Sequence, residues 1–133
     1  MTSGGRSRTR PRRARPPAAL WRATQALVDR KAVDLVVLDL HTLTAATDYF
    51  VIASGTSEAH VRGMAERLQE VLGPAGIRPH HVEGVSQGRW ILLDYVDFVV
   101  HVFHPEQREF YQLERLWDDA PVVAMTPDGG PKG

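Results

Sequence analysis

The sequence predicts an α/β protein with a mixed sheet of about five strands flanked by helices. The clearest strand is segment 98–103, FVVHVF, whose alternating side chains are mostly apolar on both faces. A strand buried on both sides belongs inside a sheet that helices cover. A second observation is the order of residues 48–83, where a short apolar run is followed by apolar side chains at helical spacing and then by another strand. This order indicates a crossover between parallel strands.

The other elements follow from apolar spacing and from residues that start or stop a helix. Residues 18–30 are predicted to form a short helix with Leu20, Ala23 and Leu27 facing inward. The next helix begins after Ser57, whose hydroxyl can cap free N–H groups, and it is stopped by Gly73 and Pro74. The predicted strands are 34–40, 48–54, 77–83, 90–93 and 98–103.

A last helix is predicted to start at Pro105, because proline at the first helical position loses no hydrogen bond. Its apolar stripe consists of Phe110, Leu113, Leu116 and Trp117. The predicted element order is therefore αββαβββα, with the crossover 48–83 right-handed and its strands parallel.

The chain divides by composition into three segments. Residues 1–17 are rich in Arg, Pro, Gly and Ser without apolar periodicity, so we expect a disordered leader. Residues 18–123 are expected to form one domain and residues 124–133 a flexible tail. With no cysteine and no apolar run near the roughly 20 residues that a membrane helix needs, we expect a cytoplasmic protein without a membrane contact.

The net charge of zero conceals an uneven distribution. Residues 1–28 contain seven Arg and no acidic residue, whereas the rest of the chain contains nine basic and sixteen acidic side chains. The leader is interpreted first as a solvated extension and second as an arm that binds polyanions, because clustered Arg neutralises phosphate charge. A mitochondrial presequence ranks third, because three prolines interrupt any amphipathic helix.

No catalytic or metal-binding pattern emerges from the residues. The turn Gly55-Thr56-Ser57 precedes a helix and could hold a phosphate, but neither common phosphate-loop pattern and no closely spaced carboxylate pair on the next strand is present. The histidines His80, His81, His101 and His104 do not converge by local geometry. We expect no metal, no cofactor and no catalytic residue, and a structural His101 hydrogen-bonded to Glu83 or Asp94.

Aromatic side chains point instead to a binding surface. Trp90 is the first residue of a predicted strand, and it can either pack in the core or contact a partner. Trp117 is assigned to the core. Asp94 and Asp97 are interpreted as turn formers or as an acidic rim that meets a basic partner.

Several short motifs follow one another within roughly residues 18–123. They are Asp48-Tyr49-Phe50, Gly55-Thr56-Ser57, Glu83-Gly84, Trp90-Ile91-Leu92-Leu93-Asp94, Val100-His101-Val102-Phe103, Arg108, and Tyr111-Gln112-Leu113-Glu114-Arg115-Leu116-Trp117. In their order and spacing, these motifs resemble the ribosomal silencing factor (Iojap) family.

The resemblance implies a nucleotidyltransferase-like fold that is not catalytic. It also implies a factor that binds ribosomal protein fourteen of the large subunit, blocks joining of the small subunit and represses translation under nutrient limitation, often as a homodimer. The residues expected to bind the partner are Trp90, Leu92, Asp94, Tyr95 and Asp97. Those expected to be structural are Asp48, Gly55, Ser57, Glu83, His101 and Trp117.

One position departs from the family pattern. Val96 stands where the family commonly has Gly after Asp94-Tyr95, and a turn that needs positive φ disfavours valine. Two other functions remain open on the residues alone. One is a nucleotide-binding or nucleotidyltransferase-like enzyme that uses the turn from Gly55 to Ser57, and the other is a dimerisation module without a ribosomal partner.

Overall fold

The computed structural model describes residues 16–112, 115 and 117–132, apart from the side chains of residues 109–111. The helices are α1 (Ala18–Asp29), α2 (Glu58–Leu72) and α3 (Pro105–Tyr111). The strands are β1 (Val33–Asp39), β2 (Tyr49–Ser54), β3 (His81–Glu83), β4 (Trp90–Asp94) and β5 (Phe98–Phe103). The predicted mixed sheet of five strands with three helices is confirmed.

The strands form one sheet in the order β1-β2-β5-β4-β3. β2 and β5 are parallel neighbours at its centre, and the other neighbouring pairs are antiparallel. It follows that β3 runs parallel to β2, as the predicted crossover requires, although two strands separate them. All six residues of β5 are buried, which agrees with its central place and its continuous apolar sequence.

Helices α1 and α2 pack on one face of the sheet. Their apolar stripes bury Leu20 and Leu27 of α1 with Val61, Met64 and Leu68 of α2 against side chains from the strands. The start of α2 is fixed as predicted, because the Ser57 hydroxyl accepts a hydrogen bond from the His60 N–H at 3.0 Å.

Three element ends differ from the predictions. The helical path does not stop at Gly73 but continues as one 3₁₀ turn to Gly76, where φ is 80°. Of the predicted strand 77–83 only His81–Glu83 forms, since Pro79 has no N–H to pair. Helix α3 ends at Gln112, whose backbone is in the left-handed region, and Trp117 lies beyond it in a turn. The other residues of the apolar stripe predicted for this helix fall outside the described side chains.

The C-terminal residues contact the domain, and these contacts include residues within segment 124–133. Val122 bridges to Leu38 of β1, and the Val123 N–H donates to the Val37 carbonyl at 2.8 Å. Beyond them, Met125 packs against the helix-side core and the Thr24 hydroxyl of α1 donates to the Gly129 carbonyl. The leader residues 1–15 lie outside the described chain. No helix among the described residues is long and apolar enough to span a membrane.

Candidate partner-binding surface

The sheet face opposite α1 and α2 is rich in aromatic side chains and is called the aromatic face below. Strand alternation and register bring its central residues together: Phe50, Ile52, Val99, His101, Phe103, Trp90, Leu92 and Asp94. On the edge strand β3, Glu83 pairs with Leu92 and His81 with Asp94, so both extend the same face. The aromatic face thus runs continuously from β2 to the sheet edge.

The described residues cover only half of the aromatic face. Over β1 and β2, Trp117 and Ala120 pack against Leu38 and Phe50, and the Trp117 and Phe50 rings meet edge to face with centroids 5.9 Å apart. Over β4, the side chains of Trp90, Leu92 and Asp94 are each only half-buried. These three residues, with His81 and Glu83 of β3, are called the open strip.

Trp90 is held in a defined orientation within the open strip. Its indole stacks on Phe103 with ring centroids 4.9 Å apart and an interplanar angle of 29°. Its Nε1–H donates to His101 Nδ1 at 3.1 Å. Gly84 passes directly under its backbone, where a Cβ would stand 2.0 Å from the Trp90 carbonyl oxygen and φ is +87°, so only glycine fits. A half-exposed aromatic ring fixed in this way is suited to bind a partner with little loss of side-chain entropy.

The hydrogen-bond partner of His101 is Trp90, so the prediction of Glu83 or Asp94 was wrong. Glu83 instead binds His81, with its Oε2 2.6 Å from His81 Nε2. Because His101 Nδ1 accepts from the indole, its proton must reside on Nε2, which is buried and has no hydrogen-bond partner in the described part of the chain. Burial lowers the pKa of His101 to about 4, against a smaller opposing effect of Asp94. His101 is therefore neutral at pH 7, as expected of a structural residue.

A shallow cleft lies beside Trp90. It has a volume of about 190 Å³ and is lined by Glu83, Gly84, Trp90 and Leu92. Its walls combine one indole, one leucine and one exposed carboxylate. An apolar side chain of a basic partner would find both burial and charge complementarity there.

Tyr95 and Asp97 are placed apart from the open strip. Tyr95 points to the helix side, only 8% exposed, and stacks on Phe98 with centroids 5.1 Å apart. Burial raises the pKa of its hydroxyl to about 12. Asp97 is exposed in the turn between β4 and β5, where its carbonyl accepts from the Asp48 N–H at 3.1 Å. Asp94 joins the two regions, because its Oδ1 also accepts from the Val96 N–H at 2.8 Å.

Two of the residues expected to be structural, Asp48 and Gly55, lie at junctions between elements. Asp48 is buried at the start of β2, and its carbonyl accepts from the Leu40 N–H. The Gly55 N–H donates to the Phe103 carbonyl at 2.9 Å, and a Cβ there would come within 2.9 Å of Val61 Cγ2. This contact explains the glycine at the β2–α2 turn. Glu83, by contrast, is exposed on the edge strand.

The sequence interpretation omitted the partners that fix Trp90. A usable signal was present, because antiparallel pairing across the turn 95–97 sets Trp90 opposite Phe103 and Leu92 opposite His101. As for metals, residues 16–112, 115 and 117–132 contain no group of three potential ligands close enough to hold an ion.

A family model described as "Ribosomal silencing factor during starvation" matches residues 13–132. The chain belongs to the ribosomal silencing factor family. The resemblance of the sequence motifs to that family is thereby confirmed.

Individual family members agree in sequence and in fold. "Ribosomal silencing factor RsfS" of Halalkalibacterium halodurans is 42% identical over 103 residues, which cover 77% of this chain and 88% of that protein. A crystal structure from Bacillus halodurans superposes with a TM-score of 0.73 at 39% identity, covering 81% of this chain and 98% of the other. A mouse relative, 36% identical over 68% of this chain and 41% of its own length, is named "Mitochondrial assembly of ribosomal large subunit protein 1".

Proposed function

We propose that this protein represses translation under nutrient limitation by binding the large ribosomal subunit and blocking the joining of the small subunit. The proposed contact is ribosomal protein fourteen of the large subunit. The observation that carries the proposal is the open strip, a pre-oriented aromatic and acidic surface on a rigid sheet of a ribosomal silencing factor family member. The names of the bacterial relatives support a ribosomal role, and that of the mouse relative supports the large subunit.

The chemistry of the open strip suits a ribosomal protein as partner. Trp90 provides a fixed aromatic anchor and Leu92 an adjoining apolar contact, which are features of the centre of an interface. Glu83 and Asp94 form an acidic rim of the open strip, and Asp97 adds a carboxylate in the turn beyond it. The chain from residue 29 onward carries nine basic and sixteen acidic side chains. Ribosomal proteins that contact RNA carry basic surfaces, so an acidic rim complements them.

Occupancy alone can account for the repression that we propose. An interface of standard size covers about 800 Å² on each partner, which a sheet face of this kind can supply. A folded domain bound at the subunit interface excludes the small subunit without any chemical step. We therefore propose a non-enzymatic, cytoplasmic factor, in which Ser57 serves as a helix cap rather than as a nucleophile.

Two further parts of the proposal involve other contacts. The seven arginines among residues 1–28 support a salt-dependent contact with ribosomal RNA, because clustered Arg neutralises phosphate charge. A homodimer is proposed from the family resemblance.

A matched pair of substitutions tests the proposed docking surface. Leu92 and Ile77 are isomeric, partly buried side chains. Leu92 lies on the aromatic face, whereas Ile77 precedes β3 and packs against the helix-side core. We expect Leu92→Ala to weaken co-sedimentation with purified large subunits about tenfold, as loss of an apolar contact near an interface centre does, and Trp90→Ala to weaken it more. Ile77→Ala should leave binding unchanged. Equal binding by Leu92→Ala, Trp90→Ala and the unmodified chain would remove the open strip from the docking surface.

A further inference from the structure

A second site lies at one end of the central parallel strands. Parallel β2 and β5 end side by side at Ser54 and Phe103, and each is followed by a helix. Ligands of open α/β sheets bind in the crevice outside the carboxyl ends of such strands. Here the crevice is a cavity of about 460 Å³, within the range of small-molecule sites. It is lined by Val33, Asp34, Ser54, Gly55, Thr56, Pro105, Arg108, Gln112 and Arg115.

Two arginines and one carboxylate, that of Asp34, line the cavity, on a part of the chain that is acidic as a whole. Arg108 is fixed in the wall, because its Nη1 donates to the buried Ser54 hydroxyl at 3.0 Å and to the Val33 carbonyl at 3.4 Å. Arg115 lines the same cavity from an exposed position. Planar guanidinium groups bind phosphate oxygens in pairs, so two of them around one cavity are suited to a phosphate or a diphosphate.

The remaining walls suit the other parts of a nucleotide. Val33 and Pro105 supply apolar surface, against which a base can pack. Asp34 reaches the cavity because the pairing of β1 with β2 shifts register between Val33 and Val36, where Asp34 adopts φ of 51°. A carboxylate repels phosphate but accepts hydrogen bonds from sugar hydroxyls. We propose that this cavity binds a nucleoside phosphate, with Arg108 and Arg115 on the phosphates and Asp34 on the sugar.

Calorimetry on the full chain at 0.15 M salt tests this site independently of any ribosome. The probes are ADP, pyrophosphate, adenosine and a short oligoribonucleotide. We expect ADP and pyrophosphate to bind and adenosine not to bind. Arg115→Ala, which alters an exposed side chain, should weaken ADP binding about tenfold, as loss of one charge-assisted contact does.

The control is Arg67→Ala, which removes an exposed arginine of α2 that pairs with Asp29 and Glu70 instead of lining the cavity. It should leave ADP binding unchanged. Both variants keep the arginines of the leader, so any phosphate bound there contributes equally to the two measurements. The proposal is overturned if neither ADP nor pyrophosphate binds at millimolar concentration. It is equally overturned if Arg115→Ala binds ADP as well as Arg67→Ala does, or if only the oligoribonucleotide binds.

Discussion

At the scale of single residues, the buried His101 costs stability but holds the Trp90 indole in place. His101 is 4% exposed, and its Nε2–H has no partner among the described residues, so an apolar side chain would suit the site better on stability alone. Its Nδ1 nevertheless fixes the Trp90 indole at 3.1 Å. The histidine is best understood as the acceptor that orients the anchor of the open strip.

The lowered pKa of His101 predicts how stability depends on pH. In the unfolded chain the imidazole titrates near 6.5, whereas burial lowers its pKa in the folded state to about 4. Between these values the unfolded chain binds the extra proton, so the free energy of unfolding falls as the pH falls from 6.5 towards 4. At pH 4 this titration lowers the free energy of unfolding by at most about 3 kcal/mol, at 1.36 kcal/mol per pKa unit.

Urea unfolding of the unmodified chain and of His101→Leu measures this contribution. The variant removes this titration together with the hydrogen bond from Trp90, and only the titration depends on pH. The difference in unfolding free energy between the two proteins should therefore shift in favour of the variant as pH falls from 7 to 4.5. A difference that does not change with pH would show that the folded imidazole titrates normally.

Val96 is a second residue at which local geometry opposes the side chain. It has φ of 74°, and the Asp97 N–H donates to the Tyr95 carbonyl at 2.9 Å across it, which is the hydrogen bond of a strained γ-turn. The departure from glycine noted in the sequence therefore falls at a position that does require positive φ. The turn is kept by its neighbours, since the Thr47 hydroxyl donates to the Val96 carbonyl at 2.9 Å.

Replacing this valine by glycine should stabilise the protein. Val96→Gly removes backbone strain of about 1–3 kcal/mol. The greater conformational entropy of glycine in the unfolded chain costs about 0.5–1 kcal/mol of stability. We therefore expect the free energy of unfolding, measured with denaturant, to rise by about 1 kcal/mol. Val85→Gly is the control, because Val85 is also an exposed loop valine but does not have positive φ. This variant should lose stability through the unfolded-chain entropy of glycine alone. A loss in both variants would contradict the strain at Val96.

At the scale of elements, the sequence predicted well wherever the local signal and the tertiary environment agree. Strand 98–103 was predicted with its observed bounds and the helix after Ser57 with its observed start, because continuous burial and a cap each leave a local signature. The open strip was predicted in part, since the alternation of Trp90, Leu92 and Asp94 is local. The burial of Tyr95 was not predicted, because it depends on how the β4–β5 turn bends.

The C-terminal segment shows the same limit of local signals. Residues 118–133 contain three prolines and three glycines and show no periodicity, which favoured a flexible tail over residues 124–133. The contacts of this segment are long-range: the Thr24 hydroxyl and the Gly129 carbonyl are 105 residues apart in the chain. A contact of that kind leaves no pattern in a window of sequence.

Two glycine substitutions distinguish a packed segment from a flexible tail. Gly129 and Gly76 both have positive φ, at 87° and 80°. A Cβ at Gly129 would stand 2.9 Å from the Thr24 carbonyl oxygen, whereas nothing lies within 4 Å of one at Gly76. Both alanine variants lose about 1–2 kcal/mol by backbone strain, and Gly129→Ala should lose about 2 kcal/mol more by overpacking. If denaturant unfolding shows no loss for Gly129→Ala, the segment is a flexible tail.

At the scale of the whole molecule, the two faces of the sheet have different roles. The helix side is a closed core formed by α1, α2 and the strands. The aromatic face is closed over β1 and β2 by Trp117 and Ala120 and left open over β4. This asymmetry predicts one docking surface with a rigid support, which is what a factor acting by occupancy requires. Composition and motifs indicated such a role, but only the paired strands reveal which half of the face is open.

The most direct test of the account is a subunit-joining assay. Purified large and small ribosomal subunits are mixed under associating conditions with increasing amounts of the chain, and joined ribosomes are measured by light scattering. We predict that joining falls as the chain saturates the large subunit, that Leu92→Ala needs about tenfold more protein for the same effect, and that Ile77→Ala behaves like the unmodified chain. Full joining at saturating concentrations of the unmodified chain would contradict the account.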